Sequence, residues 1–181
     1  MGTRTLILLR HGQYEADAGG ILTALGREQA RVSGEYLANL RFDAVWSSTL
    51  PRARETAGIV AKEIAIDAER VRHVGVLREG MYTKIEGYEI PANERREDRA
   101  RADAAYEKFF RKSRTDRTEL LVCHGNLIRY LLCRALRTSV DKWIKMTSTH
   151  CGISRVLIRP SGAVRVVSYN EHSHLPPKLV T

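Results

Sequence analysis

Two histidines are conspicuous by where they fall: Arg10-His11-Gly12 and Cys123-His124-Gly125 each set an imidazole beside a glycine, directly after a run of apolar residues. An imidazole, with an unperturbed pKa of about 6.5, serves near neutral pH as a nucleophile or as a proton donor and acceptor. The neighbouring glycine, having no Cβ, lets the backbone come close to a bound oxyanion. Either triplet alone is a weak sign, because a single histidine at the end of a strand is more often a hydrogen-bonded part of the structure. The chemistry rests on both being brought to one place.

The elements that would do so can be read along the chain. Residues 5–9 form a continuous apolar run that reads as a buried strand of a parallel sheet. Residues 119–123 form another, leading into a helix that carries Leu127, Ile128, Leu131, Leu132 and Leu136. In open α/β sheets ligands bind beyond the carboxyl ends of strands, where helix N-termini present free N–H groups. Between the two runs, Thr23 caps a helix continued by Ala24, Leu25, Gln29, Val32, Tyr36, Leu37 and Leu40. A short strand over 42–46 follows, then caps and turns at Ser47, Ser48 and Thr49. Pro51 suits the first turn of a second helix, whose apolar stripe runs over 53–66. A third strand covers 73–77, and residues 80–91, with Gly, Pro and no period, form a surface loop. A third helix shows Ala102, Ala105, Tyr106, Phe109 and Phe110 on one face. Stretches 153–158 and 163–167 flank Pro160-Ser161-Gly162 as a hairpin at the sheet margin. This alternation predicts an α/β three-layer sandwich, a mostly parallel central sheet flanked by helices. With 181 residues, 43% of them hydrophobic, the chain is expected to be one domain, 1–181.

Thirty Lys and Arg against 21 Asp and Glu give a formal charge of +9, which draws anions such as phosphorylated substrates, nucleic acid or acidic lipid heads. The basic run 94–117 is mixed with acids and reads as a solvated helix face. No aromatic-interleaved basic strand or zinc-finger pattern points to nucleic acid. Cys123, Cys133 and Cys151 make no CxxC motif, and their odd number fits reduced thiols and a cytoplasmic location. The apolar run 6–9 is too short for a signal peptide or a membrane span, and Leu6 stands where a myristoylated Gly2 would need Ser or Thr, so no membrane is expected. His172 and His174, in a tail without nearby carboxylates or cysteines, read as solvent-exposed, and His73 and His150 as structural. Neither a metal nor any other cofactor is expected, and a homodimer is compatible with the sequence.

Five motifs in order carry a resemblance: L-I-L-L-R-H-G at 6–12, L-T-A-L-G at 22–26, S-S-T-L-P-R-A-R-E-T-A at 47–57, L-R-E-G at 77–80 and V-C-H-G-N-L-I-R at 122–129. Together they resemble the histidine phosphatase, or phosphoglycerate-mutase-like, superfamily. Within it, R-H-G-Q-Y at 10–14, C-R-A-L at 133–136 and the tail with Pro176-Pro177-Lys178 look most like its mitochondrial Ser/Thr protein phosphatases. The chain departs from these at its start, where nothing before Thr5 matches their membrane-anchoring and multimer-forming segment.

Carried over residue by residue, the resemblance implies that His11 accepts a phosphoryl group and that Arg10, Arg52 and His124 clamp its oxygens. Guanidinium forks suit that task, being bidentate and always charged. The family arginine precedes Ala in R-A-x-x-T, which assigns Arg52 and leaves Arg54 to the surface or a supporting place. Glu79 matches the general acid and base, a role that needs a raised pKa. Gln13 and Gly125 join the expected substrate-binding set. Asn126 either caps the helix after His124 or touches the ligand. The implied activity is hydrolysis of phosphomonoesters, in particular phosphoserine and phosphothreonine proteins. The rivals are a small-metabolite phosphatase, a mutase, and a scaffold that has kept the fold. Mutases of the superfamily carry a longer insertion after the position of Glu79, and a scaffold would have lost His11 or Glu79.

Overall fold

The computed structural model describes residues 1–17, 19–85 and 87–181. Ala18 and Glu86 lie outside them, Glu86 within the expected loop 80–91.

The apolar run expected near the start is β1 (Arg4–Arg10), and its neighbours explain why it does not alternate with polar residues. Leu6 and Leu8 enter one core, Ile7 and Leu9 the other, and all four are at most 1% exposed. A strand covered on both faces has no solvent side to mark with polar residues. Two more strands, β2 (Tyr14–Glu15) and β3 (Ile21–Leu22), form a small separate hairpin that the sequence patterns did not announce. Next comes α1 (Ala24–Leu37), capped as expected by the Thr23 hydroxyl, which accepts from the Gly26 N–H at 2.9 Å.

β4 (Ala44–Ser48) begins two residues later than the expected strand, and α2 (Pro51–Glu63) starts on its proline but stops three residues short of the apolar stripe. Ile64 and Ile66 still pack on the core after the helix has ended, across Ala65 at φ 55°. β5 (Val71–Val74) is followed by a 3₁₀ turn, Gly75–Leu77, where the strand was expected to continue. α3 (Ala92–Phe109), β6 (Arg117–Cys123) and α4 (Gly125–Ala135) follow, then a 3₁₀ segment, Val140–Lys145. The margin is the hairpin of β7 (Ile153–Ile158) and β8 (Val164–Glu171).

The sheet order is β5-β4-β6-β1-β7-β8. The first four strands are parallel, while β7 runs against β1 and β8 against β7. Helices α3 and α4 cover one face and α1 and α2 the other, giving the three layers. Register delivers the site: Arg10 pairs with Cys123, so the residues that follow, His11 and His124, emerge side by side at the carboxyl ends of adjacent central strands.

Candidate active site

At those strand ends the two imidazoles face each other with ring centroids 5.0 Å apart, both almost fully buried. His11 is fixed from its own chain and from next door. Its main-chain N–H donates to the Cys123 carbonyl at 3.0 Å, and its Nδ1 lies 2.8 Å from the Gly12 carbonyl. A carbonyl only accepts, so Nδ1 carries the proton and Nε2 presents a lone pair. The Arg52 Nε–H points at that lone pair from 3.1 Å, which agrees with the same tautomer. Gly12 is needed here, because a Cβ on it would sit 2.4 Å from the Gly26 carbonyl oxygen.

Burial, then the neighbouring His124, Arg10 and Arg52, hold the His11 pKa well below its ordinary value, although the bond to Gly12 works the other way. Burial, Arg52 and Arg10 do the same to His124. Both rings are therefore neutral at pH 7. His124 Nε2 is 2.8 Å from the Ser48 hydroxyl at the end of β4, and its Nδ1, buried and without a hydrogen-bond partner among the described residues, is 3.9 Å from a Glu79 carboxylate oxygen.

Glu79 comes from the loop after β5, and three contacts hold that loop by its main chain. Arg101 of α3 donates to the Glu79 carbonyl at 2.8 Å, Asn126 of α4 donates to the Gly80 carbonyl at 3.1 Å, and the Met81 N–H donates to Asp98 at 2.7 Å. Asn126 thus neither caps its helix nor merely decorates it: it ties the two halves of the site together. Burial raises the Glu79 pKa to about 7, against the opposing pull of Arg52, Arg10 and Arg129.

Arg52 stacks on Tyr14 with its guanidinium 4.4 Å from the ring centroid. Arg10 donates through Nη1 to the Ser148 carbonyl and through Nη2 to His150 Nε2 at 3.1 Å, while its Nε is buried without a partner among the described residues. Gly125 opens α4 beside it; a Cβ there would lie 3.2 Å from Arg10 Nε. The structure therefore gathers His11, His124, Glu79, Arg10, Arg52 and Gly125 around one point. Gln13 is adjacent, but its side-chain oxygen is engaged by the Thr23 hydroxyl at 2.9 Å. Arg54 is exposed.

Several histidine readings change: His73, read as structural, is exposed, and His172, read as solvent-exposed, is partly buried with its Nδ1 2.8 Å from the Asn170 carbonyl. His174, expected to be a solvent-exposed tail residue, is half-buried: its Nε2 meets the Ser33 hydroxyl at 2.9 Å and its ring stacks on Tyr36, because the tail folds back over α1. His150, read as structural, stands 5.7 Å from His11 between ring centroids and touches Arg10. Nothing in its sequence neighbourhood signals this, since the contact spans most of the chain. Tyr14, Ser48 and Ser148 were likewise not singled out as site residues.

Nitrogen atoms of His11 and His124 and an oxygen of Glu79 lie within 4.8 Å of one another, a donor set of the kind metals accept. Arg10 and Arg52, however, are fixed cations at the same point. Their charge opposes a divalent cation and favours a compact anion with several oxygens. Among the described residues no helix is long and apolar enough to cross a membrane.

The sequence pattern of the histidine phosphatase superfamily (branch 1) matches residues 6–99 and 89–172. The mitochondrial serine/threonine-protein phosphatase Pgam5 of Caenorhabditis elegans is 37% identical over 189 residues, covering 99% of this chain and 66% of the relative. A phosphoglycerate mutase structure from Plasmodium falciparum is similar with a TM-score of 0.68 at 30% identity, over 98% of this chain and 96% of that one. The YhfR structure from Bacillus stearothermophilus superposes with a TM-score of 0.78 at 24% identity, over 94% and 98%. The Pgam5 relative overturns the cytoplasmic expectation, since its name places it in mitochondria. That expectation rested on cysteine number and on a short apolar run, neither of which reads a compartment directly.

Proposed function

Because the chain belongs to the histidine phosphatase superfamily (branch 1), we propose that it hydrolyses phosphate monoesters in two steps, carrying the phosphoryl group on His11 in between. The observation that carries this reading is the tautomer of His11: the Gly12 carbonyl holds the proton on Nδ1, which leaves the lone pair on Nε2, where it accepts from Arg52 until substrate arrives.

In the first step Nε2 forms a bond to phosphorus and the bond from phosphorus to the leaving oxygen breaks. Glu79, protonated, gives its proton to that oxygen. In the second step the ionised Glu79 takes a proton from water, the water oxygen bonds to phosphorus, the N–P bond breaks and inorganic phosphate leaves. Glu79 ends protonated, as it began. A pKa near 7 suits a group that must act in both forms at neutral pH. Arg10, Arg52 and His124 hold the equatorial oxygens, and the two arginines supply the charge a metal would otherwise provide. Arg52 must turn from His11 Nε2 to a phosphoryl oxygen when substrate arrives.

We assign the substrate to phosphoserine and phosphothreonine side chains of proteins. The support is the likeness to Pgam5 and the shortness of the cover: α3 alone takes 18 of the residues between Glu79 and β6, which leaves the pocket approachable by a polypeptide. The test is a metal-free panel of phosphopeptides, 3-phosphoglycerate and sugar phosphates. Phosphopeptides should have the highest kcat/KM. A metabolite hydrolysed about tenfold faster than every peptide, roughly 1.4 kcal/mol in transition-state binding, would assign the enzyme to small molecules instead.

A further inference from the structure

We propose that His150 is a positioning residue of the phosphate-binding site, and that the terminal segment 179–181 acts through it to fix the Arg10 guanidinium. The proposal rests on the reading of Arg10 as a phosphate ligand and adds residues that the chemistry itself does not use.

A chain of hydrogen bonds runs from one side of His11 to the other, and each link has only one possible direction. Arg10 has donors alone, so at 3.1 Å its Nη2–H donates and His150 Nε2 accepts. A neutral imidazole accepting at Nε2 carries its proton on Nδ1, which lies 2.9 Å from the Thr181 hydroxyl oxygen. That oxygen accepts a second bond from Gln29 Nε2, also at 2.9 Å. Gln29 Nε2 further donates to the Leu179 carbonyl at 2.8 Å, and Gln29 Oε1 accepts from the Gln13 N–H at 2.8 Å. The relay thus joins Gln13 to Arg10, the residues on either side of the His11-Gly12 pair, through a segment distant in sequence from both.

The turn bearing His150 is built for this. Ser148 and Gly152 accept from Arg10 through its side chain and main chain, the Cys151 N–H donates to the His11 carbonyl at 3.3 Å, and the His150 N–H donates to the Thr181 main-chain oxygen at 2.9 Å. Cys151 adopts φ 55°, a left-handed conformation that a side chain bearing a Cβ takes only when its surroundings impose it. A protonated His150 would turn a donor toward a guanidinium. Burial, and secondly Arg10, hold its pKa down to about 4, so the accepting form is the one present at neutral pH.

The discriminating substitutions are Thr181→Val, which keeps shape and removes the hydroxyl at an exposed position, and Thr181→Ser, which restores it. Imidazole ¹⁵N shifts should report the Nδ1–H tautomer of His150 in the wild type and in Thr181→Ser, and loss of that preference in Thr181→Val. Inorganic phosphate, titrated by ³¹P NMR, should bind about fivefold more weakly to Thr181→Val, the size of one net hydrogen bond, with the melting temperature unchanged. A wild-type tautomer or wild-type phosphate affinity in Thr181→Val overturns the relay. Both readouts are independent of turnover: a wild type that hydrolyses nothing while the valine variant shifts tautomer and phosphate binding would refute the proposed function and uphold the relay.

Discussion

Replacing Glu79 by Gln should make the protein more stable above neutral pH, and the size of the gain follows from the pocket. Ionising a carboxyl whose pKa is about 7 where 4.5 is ordinary costs up to about 3 kcal/mol more than in water, at 1.36 kcal/mol for each tenfold change. The side chain keeps 27% of its surface exposed, which screens part of that cost and brings the expected figure to about 1–2 kcal/mol. The sign follows from proton binding. Between pH 4.5 and about 7 the folded protein holds this proton and the unfolded chain has released it, so stability falls as pH rises through that window and levels off above it. Glutamine mimics the protonated acid and has no such loss. The buried neutral histidines are common to both proteins and cancel in the difference. At pH 8 the variant should melt higher, by about 2–8 °C for a chain of this size, and the gap should close toward pH 5. The same variant should hydrolyse phosphoserine peptides far more slowly, yet lose little in the first step with p-nitrophenyl phosphate, whose leaving group needs no proton. A variant no more stable than wild type at pH 8 would show that Glu79 is not held against its ionisation, and the acid and base roles would lose their physical basis.

Gly125→Ala gains helix propensity but sets a methyl group 3.2 Å from Arg10 Nε and 2.9 Å from the Ser148 hydroxyl, so phosphate affinity should drop severalfold while the melting temperature holds; equal affinity would show that Arg10 yields freely. Glu119, 1% exposed and shared by Arg4, Arg117 and Trp46, should cost about 3–5 kcal/mol when replaced by Ala, measured by urea denaturation, because two cations lose their counter-charge and one of them is buried. Chelators should leave turnover unchanged, since the arginines supply the positive charge; a rate that returns only with added divalent metal would implicate the His11, Glu79 and His124 donors as a metal site.

What the sequence disclosed and what it hid divide along physical lines. β1 and β6 were legible because strands buried on both faces leave uninterrupted apolar runs, and the histidine after each run marked the carboxyl end of the sheet. Boundaries slipped where apolar residues outlast the regular element. Phe42 packs on the core before β4 begins, and Ile64 and Ile66 do so after α2 has ended, so the apolar pattern overran both. The five candidate catalytic residues that the fold brings together could be named because each sits in a motif with local character. His150 and Thr181 could not, since their role comes from a turn and a tail folding back onto β1, and a contact made across the whole chain leaves no local pattern. His174 was misread for the same reason, its partners Ser33 and Tyr36 belonging to α1. Asn126 offered two plausible uses, and only the placement of the Glu79 loop revealed a third.

The central claim is that His11 Nε2 carries the phosphoryl group, and trapping the intermediate tests it most directly. Wild-type protein mixed with labelled phosphopeptide, quenched within milliseconds and analysed by mass spectrometry under alkaline conditions, should yield one phosphorylated residue, His11, modified at Nε2, acid-labile and base-stable, and absent from His11→Ala. Undiminished turnover in His11→Ala, or label found on another residue during normal turnover, would contradict it.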